Sequence, residues 1–188
     1  QNDLKPDSIK FKKKSIKLND EAVKILFDKT EFANDSIARV RALLLLDEAI
    51  KIDSSYHVAY TNKINILIEK KEYDSALRVV NELIKRKDNF AEGVTLRGFI
   101  YNRLGKDILA QKEYLIAKDM YKKRLSSDHA EKLSIKLNLV FLTFLIDGRE
   151  KAINELAQLL DEYPDERQRI KFFESVLDSM KNGEIILN

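Results

Sequence analysis

The residues that could carry out acid–base or metal chemistry in this sequence are scattered. Its two histidines, His57 and His129, belong to no HxxxH or HExxH pair that would hold zinc from one helix face. Adjacent acids such as Asp47 and Glu48 lie in charged stretches, where carboxylates are ordinarily solvated. There is no cysteine, which excludes disulfides, thiolate metal sites and a cysteine nucleophile. We therefore predict a non-enzymatic protein with no metal and no cofactor.

The sequence also lacks the residue patterns that would bind phosphate groups or nucleic acid. The five glycines lie apart from one another and form no phosphate-binding loop or GxSxG elbow. Residues 1–18 carry six lysines and two aspartates, a local charge of +4, so the total of +3 leaves −1 for the remaining residues. A nucleic-acid interface needs a basic face on the folded body, so we predict no nucleic-acid partner. The basic leader could contact an anionic membrane or remain mobile in solvent.

The composition favours helices that would position any binding residues. Hydrophobic residues make up 44% and charged residues 35%, with only two prolines and five glycines, which is typical of surface-charged helices. The longest apolar run, 137–146, is too short to cross about 30 Å of hydrocarbon, so it predicts a buried helix.

A 34-residue period runs through the sequence. Small residues recur at Ala42, Ala76 and Ala110, and each of these intervals is one period. Two further series keep the same spacing, namely Leu46, Val80, Tyr114 and Ala49, Leu83, Ala117. Each period contains two segments with helical apolar spacing, joined by a few residues, which predicts an antiparallel helix pair.

The segments between helices contain residues typical of helix ends. Ser55, Asp74 and Asn89 precede helical segments and are predicted to cap them, while Gly105 is predicted to end a helix in the left-handed conformation. Gly98 lies inside a helical segment, where glycine costs about 1 kcal/mol relative to alanine. We expect it to allow a close helix crossing with the small residues that follow it, Ala110 and Ala117.

The period and its small residues resemble the tetratricopeptide repeat family of helix–turn–helix units. The segment 91–124 matches best, with signature positions at Gly98, Tyr101, Gly105, Ala110, Tyr114 and Ala117. The resemblance implies an all-α, right-handed superhelical solenoid of antiparallel helix pairs. It divides the chain as follows: a basic flexible leader at 1–18, a solenoid at 19–183 with repeats at about 19–56, 57–90, 91–124 and 128–165, a capping helix at 166–182, and a tail at 184–188.

The resemblance also implies a concave groove lined by the first helix of each repeat. Its expected binding residues are Thr61, Asn65, Ile68, Thr95, Phe99, Asn102 and Arg103. An asparagine amide can donate to and accept from a peptide backbone, and an arginine can hold a carboxylate with two hydrogen bonds. Some relatives use a carboxylate clamp for a chaperone tail. Here Thr61 and Leu96 replace expected clamp residues, which argues against that activity.

Two functions from different classes remain open. The first is an interaction module that binds a protein or peptide partner in the groove. The alternative is a structural, tethering subunit of a bacterial cell-envelope assembly of lipoprotein type, with the leader as a peripheral membrane tether. The sequence begins at Gln1 rather than methionine, which slightly favours an exported, envelope location over a cytoplasmic one. The oligomeric state and the identity of the partner stay open.

Overall fold

A computed structural model describes residues 6–27, 35–127 and 131–180 of the chain. Within these ranges the structure is all-helical and contains no strand, which confirms the predicted fold class at that level. The helices are, in chain order, α1 Pro6–Phe27, α2 Asp35–Ile52, α3 His57–Glu69, α4 Tyr73–Arg86, α5 Ala91–Arg103, α6 Asp107–Ser127, α7 Lys132–Asp147, α8 Arg149–Glu162 and α9 Arg167–Ser179, with a short 3-10 helix, Pro164–Glu166, before α9.

The chain divides into two compact units, residues 1–105 and residues 106–188. Within the first unit, each of the helices α1 to α5 packs against the next one along the chain. Within the second unit, α6 to α9 pack in the same sequential manner. The division falls after Gly105, inside the predicted repeat 91–124, and not at a predicted repeat boundary.

The helix pairs α3/α4 and α7/α8 are antiparallel, as the short links predict. In the first unit, Tyr60 near the start of α3 donates its hydroxyl hydrogen to Glu82 near the end of α4, at 3.2 Å. In the second unit, Lys136 near the start of α7 forms an ion pair with Glu162 at the end of α8. Contacts between the beginning of one helix and the end of the next require opposite helix directions.

Residues one period apart are buried to the same extent. Ala42, Ala76 and Ala110 are 0%, 0% and 1% exposed, and the other two series are also buried, namely Leu46, Val80, Tyr114 and Ala49, Leu83, Ala117. Small side chains at these positions let helix backbones approach closely. Gly98 is buried in α5, while its expected crossing with Ala110 and Ala117 stays a prediction.

The prediction of a flexible basic leader is wrong for residues 6–18, because α1 begins at Pro6. The Ser15 side chain is fully buried and donates a hydrogen bond to the Ala49 carbonyl at 3.0 Å. Asn19 is 4% exposed and accepts a hydrogen bond from the Asn62 amide at 2.8 Å. These polar contacts hold α1 in the first unit, so the first helix pair begins well before the predicted residue 19. Residues 1–5 lie outside the described ranges.

The predicted helix caps Ser55, Asp74 and Asn89 are also wrong. The cap positions of α3, α4 and α5 are held by Tyr56, Glu72 and Phe90, and none makes a side-chain capping hydrogen bond. Phe90 is 6% exposed and belongs to the core around α4, so this position contributes apolar burial in place of a cap. Tyr56 is partly buried against the core formed by α1, α2 and α3.

Of the predictions for the helix ends near residues 105 and 127, the first is confirmed and the second is wrong. Gly105 has a φ of +69°, which confirms the left-handed helix end. The sequence predicts Ser127 or Asp128 as the cap of α7, but Ser127 ends α6 and donates its hydroxyl hydrogen to the Arg124 carbonyl at 3.1 Å. The alternative cap, Asp128, lies outside the described residues, and so does His129.

The C-terminal helix α9 corresponds to the predicted capping helix, with shorter bounds. The sequence predicts a buried apolar face that includes Ile170, Val176, Leu177 and Met180. The structure buries Ile170, Leu177 and Met180, whereas Val176 is 36% exposed. The buried residues join a core with α7 and α8. Gly183 and the predicted tail 184–188 lie outside the described residues. The apolar run 137–146 is part of α7, and no helix in the described ranges is long and apolar enough to cross a membrane.

Candidate functional site

The predicted groove residues of α3 lie along one side of that helix, and we call them the α3 face: Thr61, Asn65 and Ile68. Thr61 donates its hydroxyl hydrogen to the His57 carbonyl one turn earlier, at 3.1 Å. Ile68 is partly buried against the core of the first unit. Asn65 is half-buried and makes no side-chain hydrogen bond to any residue that the structure describes. Its amide therefore keeps its full capacity to bind a peptide group.

The corresponding residues of α5 form the α5 face: Thr95, Phe99, Asn102 and Arg103. Thr95 repeats the bond made by Thr61, since its hydroxyl donates to the Ala91 carbonyl at 2.9 Å. Phe99 is 4% exposed, so its ring offers little open surface. The guanidinium carbon of Arg103 lies 4.8 Å from the centre of that ring. This cation–π contact fixes the arginine over the ring while leaving its planar group able to hold a carboxylate.

The two faces belong to helices that both pack against α4. The α5 helix is further held on α4 by a hydrogen bond from Arg97 to Asn81, at 3.1 Å. The structure brings Phe99 and Arg103 into direct contact on α5, while the convergence of the α3 and α5 faces on one groove stays a prediction.

The position of His57 near a helix start predicts a surface histidine, whereas the structure partly buries it. It is half-buried, and its ring meets the ring of Phe90 nearly edge-on, with centroids 5.9 Å apart. Burial lowers the pKa of His57, and the nearby charge of Lys87 lowers this pKa further. Among the residues described, no group of three or more histidine and acidic side chains is placed to hold a metal ion.

A cleft in the second unit was not predicted from the sequence. It has a volume of about 310 Å³ and lies between α6, α7 and α8. The groove inferred from the resemblance is lined by first helices, whereas this cleft is lined by the first helix α7 together with the two second helices, α6 and α8. The feature of the sequence that could have indicated this cleft is the pair Lys118 and Lys122. These residues are four apart and therefore lie on one side of α6.

No protein-family model matches this chain, and a search of curated proteins returned no match. The resemblance to tetratricopeptide repeats therefore depends on the residues, their period and their packing alone.

Proposed function

We propose that the chain is a non-enzymatic interaction module of the tetratricopeptide repeat type that binds a protein or peptide partner. In this proposal the antiparallel pairs stack into a right-handed superhelical solenoid, and the α3 and α5 faces line its groove. The equal burial of residues one period apart supports the repeat, and so does the matching hydroxyl bond of Thr61 and Thr95.

The observation that carries the binding function is the half-buried Asn65 amide without a hydrogen-bond partner in the described part of the chain. Its polar atoms are not among those buried without a partner, so the amide still reaches solvent and can exchange water for a peptide group. An extended peptide backbone would supply both an acceptor and a donor for this amide. Arg103, stacked on Phe99, would hold an acidic group of the same peptide.

The test is a double variant, Asn65→Ala with Arg103→Ala, used in affinity capture from the source cells. Losing two or three hydrogen bonds to the partner should weaken capture by about ten-fold or more. The matched control is Asn154→Ala with Arg167→Ala, which removes the same residue types from exposed positions in the second unit. Circular dichroism should show equal helicity in both variants. Equal capture by both variants would place the binding surface elsewhere.

A second candidate is peripheral attachment to an anionic membrane through the N-terminal region. The observation that favours it is a row of exposed lysines on one side of α1, Lys13, Lys17 and Lys24. Polybasic rows are attracted to acidic lipid headgroups. In this candidate the packed helix α1, and not a mobile leader, attaches the chain to the envelope membrane.

A further inference from the structure

The cleft of the second unit has an apolar floor between charged walls. Leu139 and Val140 of α7 and Leu159 of α8 line it, and the last two are 3% and 6% exposed. Its volume of about 310 Å³ lies at the lower end of the range for ligand clefts. An apolar floor with a few polar groups around it is the usual composition of such sites.

One end of the cleft is held by a hydrogen-bond network that joins three helices. Lys118 of α6 donates to the hydroxyl oxygen of Thr143 on α7 at 3.2 Å, and that hydroxyl donates to Glu155 of α8 at 3.2 Å. Thr143 is fully buried, so its two bonds satisfy a group that water does not reach. Lys118 also lies 3.6 Å from Asp147, which forms a second ion pair with Lys151, so the charges at this end of the cleft have partners.

The opposite end is closed by an ion pair between Lys136 of α7 and Glu162 of α8. The hydrogen bond from Lys136 is the main reason that the pKa of Glu162 lies below its usual range. Both ends of the cleft are therefore made of partnered charges.

The middle of the cleft is different, because Lys122 and Gln158 face it without partners. Lys122 lies one turn beyond Lys118 on α6 and forms no ion pair or hydrogen bond with any described residue. Gln158 on α8 is exposed and makes no side-chain hydrogen bond in the described ranges. The centre of the cleft thus presents one free cation and one free amide above apolar side chains.

We propose that this cleft binds an acidic side chain within a short apolar segment of a protein partner. The ligand carboxylate accepts from the ammonium group of Lys122, and a flanking apolar side chain covers Leu139, the floor residue that is only partly buried. Gln158 bonds the ligand backbone, and Glu155 offers an acceptor for a backbone N–H. This site shares no residue with the α3 and α5 faces, since all its residues belong to the second unit.

The test uses a blocked tripeptide, acetyl-Leu-Glu-Leu-amide, titrated into the full chain and followed by amide chemical shifts. We expect shifts at Leu139, Thr143 and the Gln158 side chain, and about three- to ten-fold weaker binding for Lys122→Ala. The matched control is Lys123→Ala, which removes the same charge from the next, exposed position of α6 and should bind as the wild type does.

A second variant tests whether the bound ligand is negatively charged. Glu162→Gln removes the anion paired with Lys136, so it should strengthen binding of the acidic peptide, while Asp161→Asn beside it should change little. The glutamine and lysine versions of the peptide should bind weakly or not at all. Stronger binding of the lysine peptide, weaker binding in Glu162→Gln, or equal binding by Lys122→Ala and Lys123→Ala would overturn the proposal. If free glutarate binds as tightly as the peptide does, the proposal that the ligand is a peptide segment would be overturned.

Discussion

His57 shows how a single contact changes a residue's chemistry. Its ring packs against Phe90, and the ammonium of Lys87 lies 4.3 Å from the centre of that same Phe90 ring. Burial lowers the pKa of His57, Lys87 lowers it further, and Glu92 opposes both effects. The folded chain therefore binds a proton at His57 less tightly than the unfolded chain does, and protonation favours unfolding.

We expect the stability contributed by neutral His57 to be fully present above the unfolded pKa of about 6.5 and to be lost as the pH falls towards the lower folded pKa. The pKa of His57 should rise in Lys87→Gln, because a repelling charge is removed. Lys85→Gln, an exposed change in the last turn of α4, should leave the pKa of His57 unaltered. Proton NMR titration measures these values, with His57→Phe identifying the signal. A His57 pKa at or above 6.5 would contradict the contact.

The residues of the candidate sites differ in how far the sequence reveals them. Thr61 and Thr95 share a place in the repeat, and the structure gives them the same hydrogen bond. The cleft of the second unit has no such local pattern. Lys118 meets Thr143, and Lys136 meets Glu162, across helix pairs whose links differ in length. Since those contacts depend on how three helices are packed, spacing along the chain does not predict them.

At the scale of the helices, apolar periodicity predicts more than polar capping does. The period predicts which alanines are buried because burial follows from the helix faces that meet. The caps fail because Tyr56 and Phe90 occupy the cap positions and their rings pack into the cores of the first unit. Burying a large aromatic ring stabilises the fold more than a single capping hydrogen bond does. Tertiary packing therefore decides the identity of these residues.

The helix α8 contains a matched pair of alanines that tests this packing. Ala152 is fully buried in the core formed with α7 and α9, whereas Ala157 is exposed on the same helix. Ala152→Leu should overpack the core and destabilise the protein by roughly 1–3 kcal/mol. Ala157→Leu should change stability by less than about 0.5 kcal/mol. Urea unfolding followed by circular dichroism measures both. Similar midpoints for the two variants would mean that Ala152 does not lie in a tight helix contact.

At the scale of the whole molecule, the division after Gly105 is a feature that the repeat pattern does not predict. Repeat positions are set by local helix faces, and these continue across residue 105 with the same period. The division into compact units depends on which helices share a core, as in the core of α7, α8 and α9. Such long-range contacts involve packing that the 34-residue period does not specify.

The uneven distribution of charge along the chain leads to a prediction about membranes. Residues 1–18 carry a charge of +4 while the whole chain carries only +3. Because α1 is packed at Ser15 and Asn19, its lysines Lys13 and Lys17 are held outward in a fixed row. A fixed row presents its charges together to a surface of anionic lipid, where each lysine contributes about 1 kcal/mol.

We expect the chain to sediment with vesicles containing phosphatidylserine at low salt and to remain in solution with phosphatidylcholine vesicles. Lys13→Glu with Lys17→Glu should weaken that binding by about 2 kcal/mol or more, because two attractive charges become repulsive. The control is Lys106→Glu with Lys112→Glu, which makes the same net change at exposed positions of the second unit. Salt at about 0.5 M should release the wild type, since screening then shortens the range of the attraction to a few ångströms. If both double variants lose binding equally, net charge governs the attachment and the row on α1 does not.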